Sequence, residues 1–407
     1  MDEKFIPKLR FNGFNENWNE DKFENIFDIK NGLNKGKDYF GKGIQILNYM
    51  DVNNYELNTE NTIKGLVELN DEEIKRYSVK PNDLFFTRTS ETSEEIGLTS
   101  AYVGKEIKCV FSGFLLRARP KMDVNSLFFA YYFRSPKQRN NIIKFSSITT
   151  RALISGGNLS KMKIKFPNIG EQNKITKLFL ILNKKIELLE KKYQYYQDFK
   201  KYLMQQIFTQ KLRFQDFTDD WVVTTLDKIA IKIGDGLHST PDYVENSNYY
   251  FINGNNLLEG QIIINDNTKC IPPYEFEKYN NNLNKNTILI SINGTIGNLA
   301  YYNDEKVILG KSAAYIKLNE NIEKEYIYNY LKIGKIQHYF SSELTGTTIK
   351  NLSLKTLKNT PIIIPSYNEQ KIIANMFKNI DLKIDLINNR LTNMKNFKKG
   401  LLQQMFI

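Results

Sequence analysis

The feature that most limits what this chain can fold into is that it carries its own outline twice. Lys8-Leu9-Arg10-Phe11, followed by Phe14 and Trp18, recurs as Lys211-Leu212-Arg213-Phe214, Phe217 and Trp221, each shifted by 203 positions. A second block holds Pro167, Glu171-Gln172, Phe179, Ile186, Phe199-Lys200-Lys201, Leu203, Gln205-Gln206 and Phe208. It returns 198 positions later as Pro365, Glu369-Gln370, Phe377, Ile384, Phe397-Lys398-Lys399, Leu401, Gln403-Gln404 and Phe406. Self-similarity at a fixed period marks a duplication. The 407 residues therefore divide into two related halves, each long enough to bury a core of its own.

The stretches between these blocks have diverged but keep an outline. Pro81-Asn82-Asp83-Leu84-Phe85-Phe86 parallels Lys285-Asn286-Thr287-Ile288-Leu289-Ile290, and Val110-Phe111-Ser112-Gly113 parallels Ile308-Leu309-Gly310-Lys311. Both stretches close on Asn-Leu-Ser, at 158–160 and 351–353. Short apolar or alternating runs bounded by turn residues read as β-rich structure with a few helices.

The Glu-Gln blocks have another period. Ile175, Phe179, Leu182, Ile186, Leu189, Tyr193, Tyr196, Leu203 and Ile207 form a stripe spaced four and three residues apart, broken at Lys200, where Phe199 can substitute. Ile373, Phe377, Ile380, Ile384, Ile387, Leu391, Met394, Leu401 and Met405 repeat the stripe, broken at Lys398. Five heptads predict a long helix with a coiled-coil seam, and a helix of that length spans roughly 55 Å. Each helix packing only on its own domain is the alternative, but two matching seams most simply cover each other. The expected fold is α+β: two pseudo-repeated, mixed α/β-rich globular domains, 1–167 and 211–365, joined by long helices in regions 168–210 and 366–407 that pair as a coiled coil.

Charge narrows the partner. The formal net charge is +12, and it is concentrated in the helical blocks: 158–213 holds thirteen Lys or Arg against four acids, and 351–407 nine against three. The rest of each half is nearly balanced, so a nucleic-acid surface there must come from local clustering. The longest apolar runs, such as Pro361-Ile362-Ile363-Ile364-Pro365, are far short of the roughly 18 residues that span a bilayer. The N-terminus lacks a basic start followed by an apolar run, and Cys109 and Cys270 lie in different halves, so a reducing bacterial cytoplasm is expected.

Enzymatic readings fail on chemistry. Ile271-Pro272-Pro273-Tyr274 has the outline of an amino-methyltransferase loop, but Ile271 cannot accept the hydrogen bond that holds a target amine. Asp83 with Glu106 and Lys108 forms a loose nuclease-like pattern of a kind that arises freely in a sequence rich in acids and lysine. His238 and His338 are the only histidines, and no zinc or phosphate-loop motif accompanies them. What the duplication itself predicts is two related modules held apart by paired helices, reading separated half-sites on one duplex.

Several segments carry a family resemblance: Lys8-Leu9-Arg10-Phe11 with Trp18, Asp235-Gly236-Leu237-His238-Ser239-Thr240-Pro241, Phe251-Ile252-Asn253-Gly254, Gly294-Thr295-Ile296-Gly297, and Ile364-Pro365 through Glu369-Gln370. The chain resembles the specificity subunits of type I restriction–modification enzymes over nearly its whole length. The resemblance implies a non-catalytic subunit in which 1–167 and 211–365 are target-recognition domains, each reading half of a bipartite double-stranded target, and the two helical regions form an antiparallel coiled coil that sets the spacing. Two modification subunits would carry S-adenosylmethionine and methylate adenine, and restriction subunits would supply cleavage driven by ATP with Mg; no cofactor is expected in this chain. The first domain departs from the pattern, with Asn31-Gly32-Leu33-Asn34 where the second has Asp235-Gly236-Leu237-His238. A fused restriction–methylation system of the same design, or a scaffold that binds proteins rather than DNA, are the competing readings.

Arginine is the best bidentate reader of guanine, while Asn and Gln suit adenine. Besides Arg10 of the repeated motif, seven of the ten arginines, Arg76, Arg88, Arg117, Arg119, Arg134, Arg139 and Arg151, lie in the first domain, and none lies between Arg213 and Arg390. The halves are therefore expected to read DNA differently. Arg88 is the first choice for a contact, flanked by Thr87 and Ser90, with Arg117, Arg119, Thr150 and Arg151 as further candidates. The matching set in the second domain is His238, Ser239, Thr240, Ser291, Asn293, Thr295, Lys311, Thr347, Thr348 and Lys350. Their hydroxyls and cations suit phosphates.

Overall fold

The computed structural model describes residues 5–148, 151–346 and 350–407. It forms two compact units. Unit 1 comprises the chain up to Glu190 together with Asn389–Ile407, and unit 2 is Lys191–Asn388. No helix among the described residues is long and apolar enough to cross a membrane.

In unit 1 the helix Ser126–Arg134, with sequence SLFFAYYFR, buries every residue from Ser126 to Phe133. A helix apolar on all sides must lie inside the core, and this one does. Beside it is a five-stranded sheet ordered Phe27–Asn31, Leu115–Pro120, Leu84–Thr87, Thr99–Tyr102, Leu57–Asn58, antiparallel except at the last pair. Successive strand residues point to opposite faces. Leu84 and Phe86 enter the helix-side core, whereas Phe85 enters a second core with Phe111 and Leu115. Burial on both faces explains an unbroken apolar run in a strand. That second core is closed by a three-stranded sheet in which Phe40–Leu47 lies between Gly65–Val67 and Cys109–Phe111.

Unit 2 repeats the plan. Its sheet is ordered Ala230–Asp235, Ala313–Leu318, Thr287–Ser291, Leu299–Tyr301. Ile288 and Ile290 face one core and Leu289 the other. Tyr250–Ile252 pairs in parallel with Val307–Leu309, as Gln45–Leu47 pairs with Cys109–Phe111 in unit 1. The counterpart of the central apolar helix is Lys324–Leu331, buried from Tyr326 to Leu331.

The long helices are Ile169–Phe208 and Tyr367–Gln404, and each contributes to both units. In unit 1, Ile175, Phe179 and Leu182 of the first helix share a core with Leu401, Met405 and Phe406. Phe179 lies between Tyr131 and Phe406, with ring centroids 4.8 and 5.8 Å away. Glu190 meets Lys395 at 2.6 Å, so numbering rises along one helix as it falls along the other: the pair is antiparallel. Unit 2 shows the same sense. Leu203, Ile207 and Phe208 pack with Ile373 and Phe377, and Lys200 grips Asp381 with bonds of 2.6 and 2.7 Å. Of the remaining predicted seam positions, Ile387 is buried, and Ile186, Leu189, Ile380 and Ile384 are half-buried.

At the breaks in the stripe the structure departs from expectation. Phe199 does not substitute; it stays exposed, and Lys200 itself holds the seam position by pairing with Asp381. Lys398 does the same in unit 1, pairing with Glu56. A long aliphatic stem can line an apolar seam when its ammonium finds a carboxylate.

The duplicated motifs turn out to be one device. Arg10 Nε and Nη2 donate to Glu171 Oε1 and Oε2 at 2.8 and 2.7 Å. Arg213 makes the same fork to Glu369 at 2.9 Å on both arms, and Trp221 Nε1 also donates to Glu369. The adjacent glutamines bridge as well: Gln172 accepts from Asn125 N–H and donates to the Pro167 carbonyl, and Gln370 does so with Glu323 and Pro365. Each Lys-Leu-Arg-Phe segment is thus tied to the first turn of the long helix that follows it about 160 residues later.

Candidate nucleic-acid interface

The loops at one end of the main sheet form a hydrogen-bonded frame that is the same in both units. In unit 1, Leu33 N–H donates to the Phe111 carbonyl (2.9 Å), Gly32 N–H to Leu115 (3.3 Å), Arg88 N–H to Phe114 (2.8 Å), and Ile154 N–H to Arg88 (3.0 Å). In unit 2 the corresponding bonds run from Leu237 to Leu309, Gly236 to Ala313, Ile292 to Ser312, and Leu352 to Ile292. Glycine is required where the first loop crosses the turn. A Cβ on Gly32 would stand 2.0 Å from the Ser112 carbonyl oxygen, and one on Gly236 would stand 2.2 Å from that of Leu309.

This frame fixes which residues are equivalent. Asn31-Gly32-Leu33-Asn34 does correspond to Asp235-Gly236-Leu237-His238. The two Asn-Leu-Ser segments do not correspond. Ser353 caps the helix Leu354–Lys358 by accepting from Thr356 N–H, and its counterpart is Ser155, which caps Gly156–Ser160 by accepting from Asn158 N–H. Asn158-Leu159-Ser160 is therefore inside a helix, and the matching tripeptides are coincidental.

Several predicted contacts are withdrawn by burial. Arg117 is 2% exposed, donates to the Ser78 carbonyl and lies over the Phe111 ring; burial pushes its pKa down. Arg119 spends its fork on Asp83, at 2.7 Å on both arms. Asp83, a member of the nuclease-like pattern, is thus a buried structural acid. Thr87 is buried, donating to the Glu95 carbonyl and accepting from Leu98 N–H, and Ser291 is buried, donating to the Asn293 carbonyl. Ser90 is buried beside Glu95. Arg134 and Arg139 are structural too: they hold the backbone carbonyls of Val52, Thr99, Glu94 and Ile96, and burial lowers the Arg139 pKa to about 10.

Other predicted residues remain at the surface. Arg88 is half-buried, and its guanidinium has no hydrogen-bond or ionic partner among the described residues, its Nε included. Its counterpart is the core residue Ile292, so a cation stands in unit 1 where unit 2 has an aliphatic side chain. Arg151 is exposed, 3.8 Å from Glu91. In unit 2, His238, Ser239, Thr240, Thr295, Lys311 and Lys350 are exposed, and Asn293 is half-exposed. His238 Nε2 lies 2.8 Å from Asp235 Oδ2. Asn293 Nδ2 reaches the Lys311 carbonyl, and Asn293 bridges Asn351, which exchanges backbone bonds with Thr345. These contacts bring the loops around 235–240, 291–297 and 310–312, with Thr345 and Asn351, to one edge. Thr150, Thr347 and Thr348 lie outside the described residues.

Two features were missed by sequence reasoning. Phe114 projects from the unit 1 turn with 61% of its surface exposed, where unit 2 has Ser312. Extending the parallel of Val110–Gly113 with Ile308–Lys311 by one residue would have exposed that difference. Unit 2 also has a cavity of about 370 Å³ lined by Tyr243, Phe251, Asn253, Asn255, Asn267 and Lys269. It adjoins the loop edge through Asn253, which accepts from Ser312 Oγ.

Comparison with known proteins agrees with this geometry. The family model described as type I restriction modification DNA specificity domain matches residues 15–195 and 218–396. The chain is 26% identical over 424 residues to the MjaX type I restriction enzyme specificity subunit of Methanocaldococcus jannaschii, covering 98% of this chain and 95% of that one. The crystal structure of a type I restriction–modification S subunit from M. genitalium superposes with a TM-score of 0.58 at 17% identity, over 99% of both chains. A chain from a study of type I complex assembly and conformational transition gives 0.57 at 15% identity, covering 95% of this chain and 96% of that one.

Proposed function

The chain belongs to the type I restriction–modification DNA specificity family, and from that premise we propose that it is the sequence-reading subunit of such a complex, unit 1 and unit 2 each recognising one half of a bipartite duplex target. The observation that carries this reading is the shared loop frame with unlike side chains: Arg88 and Phe114 in unit 1 stand where unit 2 has Ile292 and Ser312. A frame kept while the side chains it carries change is what two readers of different half-sites require. The long antiparallel helices set the spacing between those half-sites.

The chemistry is performed by partners. Two modification subunits bring S-adenosylmethionine and methylate adenine, restriction subunits bring ATP- and Mg-dependent cleavage, and the assembly works in the bacterial cytoplasm. This chain's own residues position and discriminate. Exposed Lys311, Lys350 and Arg151 serve phosphates, whose contacts fix register without reading sequence. Arg88 reads a guanine: a half-buried guanidinium with no internal partner finds its bidentate acceptor in the O6/N7 edge. Unit 2, which has no arginine between Arg213 and the end of the unit, reads through amides such as Asn255 and Asn267.

Replacing Arg88 by Ala is expected to cost about 1–3 kcal/mol of discrimination at one G·C pair of one half-site and to leave the other half-site unchanged. Competition binding by the assembled complex, with single-pair variants of its target, measures this. Uniformly weakened binding to all variants would make Arg88 a phosphate contact instead.

A further inference from the structure

The Phe114 ring is the most exposed large apolar side chain of unit 1 among the described residues. Single exposed apolar residues are ordinary on protein surfaces, so exposure alone carries nothing. What distinguishes Phe114 is how it is held and what replaces it. Its carbonyl accepts from Arg88 N–H, Leu115 N–H closes the turn onto the Ser112 carbonyl at 2.9 Å, and Gly113 N–H donates to Leu33 at 2.7 Å. The turn is bound to strands on both sides, so the ring is presented by a rigid support rather than by a loose loop. The same turn in unit 2, closed by Ala313 N–H on Gly310, carries Lys311-Ser312 at its tip.

We infer that Phe114 is a specificity-determining residue that reads the 5-methyl group of a thymine in the half-site recognised by unit 1. This rests on the DNA-recognition reading above. A phenyl ring offers no directional donor or acceptor, and the one apolar feature on the major-groove edge of a base pair is the thymine methyl. Arg88, whose backbone is bonded to Phe114, would read the neighbouring guanine, so the turn supplies one polar and one apolar reader. Because the ring lies outside the core, its removal leaves the fold intact. Phe114→Leu, which keeps an apolar contact, serves as a second variant.

The test uses the full chain assembled with its modification subunit, its target first read from the positions of methylated adenines. Phe114→Ala should relax one T·A position in one half-site and leave the other half-site unchanged, and Phe114→Leu should retain most of the preference. Replacing that thymine by uracil, which deletes only the methyl, should weaken binding of the unsubstituted complex about fourfold, the worth of one buried carbon group, and leave Phe114→Ala binding unaltered. Equal binding of the thymine and uracil duplexes by the unsubstituted complex would overturn the inference, pointing to a wedge between base steps. So would weakened assembly of Phe114→Ala with the complex that does form keeping the full motif, which would place the ring against the modification subunit. Either result leaves selective DNA binding intact; absence of any selective binding would overturn the recognition reading as well.

Discussion

A chain ending at Asn388 should lose the cooperative unfolding transition of unit 1 while that of unit 2 persists. Asn389–Ile407 belongs to unit 1 although it follows the whole of unit 2 in the sequence. It places Leu401, Met405 and Phe406 in the same core as Trp18, Phe128 and Phe179. Burying three side chains of this size contributes roughly 5–9 kcal/mol, an upper estimate because the unfolded chain already buries some surface. That is comparable with the whole stability of a typical domain, about 5–15 kcal/mol. Polar ties go too: Leu9 N–H to the Gln404 carbonyl, and Gln138 Nε2 to that of Ile407. Calorimetry of the full and shortened chains measures the effect. Retention of both transitions in the shortened chain would show that the second long helix is dispensable to unit 1.

Glu171→Ala should destabilise unit 1 by about 3–5 kcal/mol, the usual cost of removing one member of a buried ion pair. Glu171 is fully buried and Arg10 is 10% exposed, so the alanine leaves a forked cation facing a void in the core. Arg10 already has one buried nitrogen, Nη1, without a partner, so nothing nearby can take over the charge. Replacing both residues by apolar ones of similar volume, Arg10→Met with Glu171→Leu, should recover most of the loss. Denaturant titration reports the difference as a shift of the first midpoint. An unchanged midpoint for Glu171→Ala would mean that the Lys-Leu-Arg-Phe segment is not tied to the helix in solution.

The two-unit plan and the long helices were legible because their signals are periodic and local. A seam repeating every three to four residues predicts its own partner, and a motif recurring at a fixed offset predicts a second copy. Even the Arg10–Glu171 tie was legible in principle, since Arg10 and Glu171 each recur in the second half as Arg213 and Glu369. The recognition surface was less legible because exposure depends on partners distant in sequence. Arg117 and Arg119 read as surface arginines, but they are held by Ser78 and Asp83, nearly forty residues away. Thr87 and Ser291 sit at strand ends, where one residue more of pairing decides between interior and surface. Lys200 looked like a defect in its stripe because Asp381 lies on the other helix. Arg88 kept its place by a different route: it is an arginine at a position where the fold elsewhere uses isoleucine, and no internal acid claims it among the described residues.

The central claim is that two units of one design read two different half-sites. The most direct measurement is to express the chain with its modification subunit and sequence methylated adenines in the host DNA. The account predicts methylation at two short specified segments separated by a gap of fixed length, absent when this chain is omitted, with Arg88→Ala altering one segment only. A continuous motif, or methylation that persists without this chain, would contradict it.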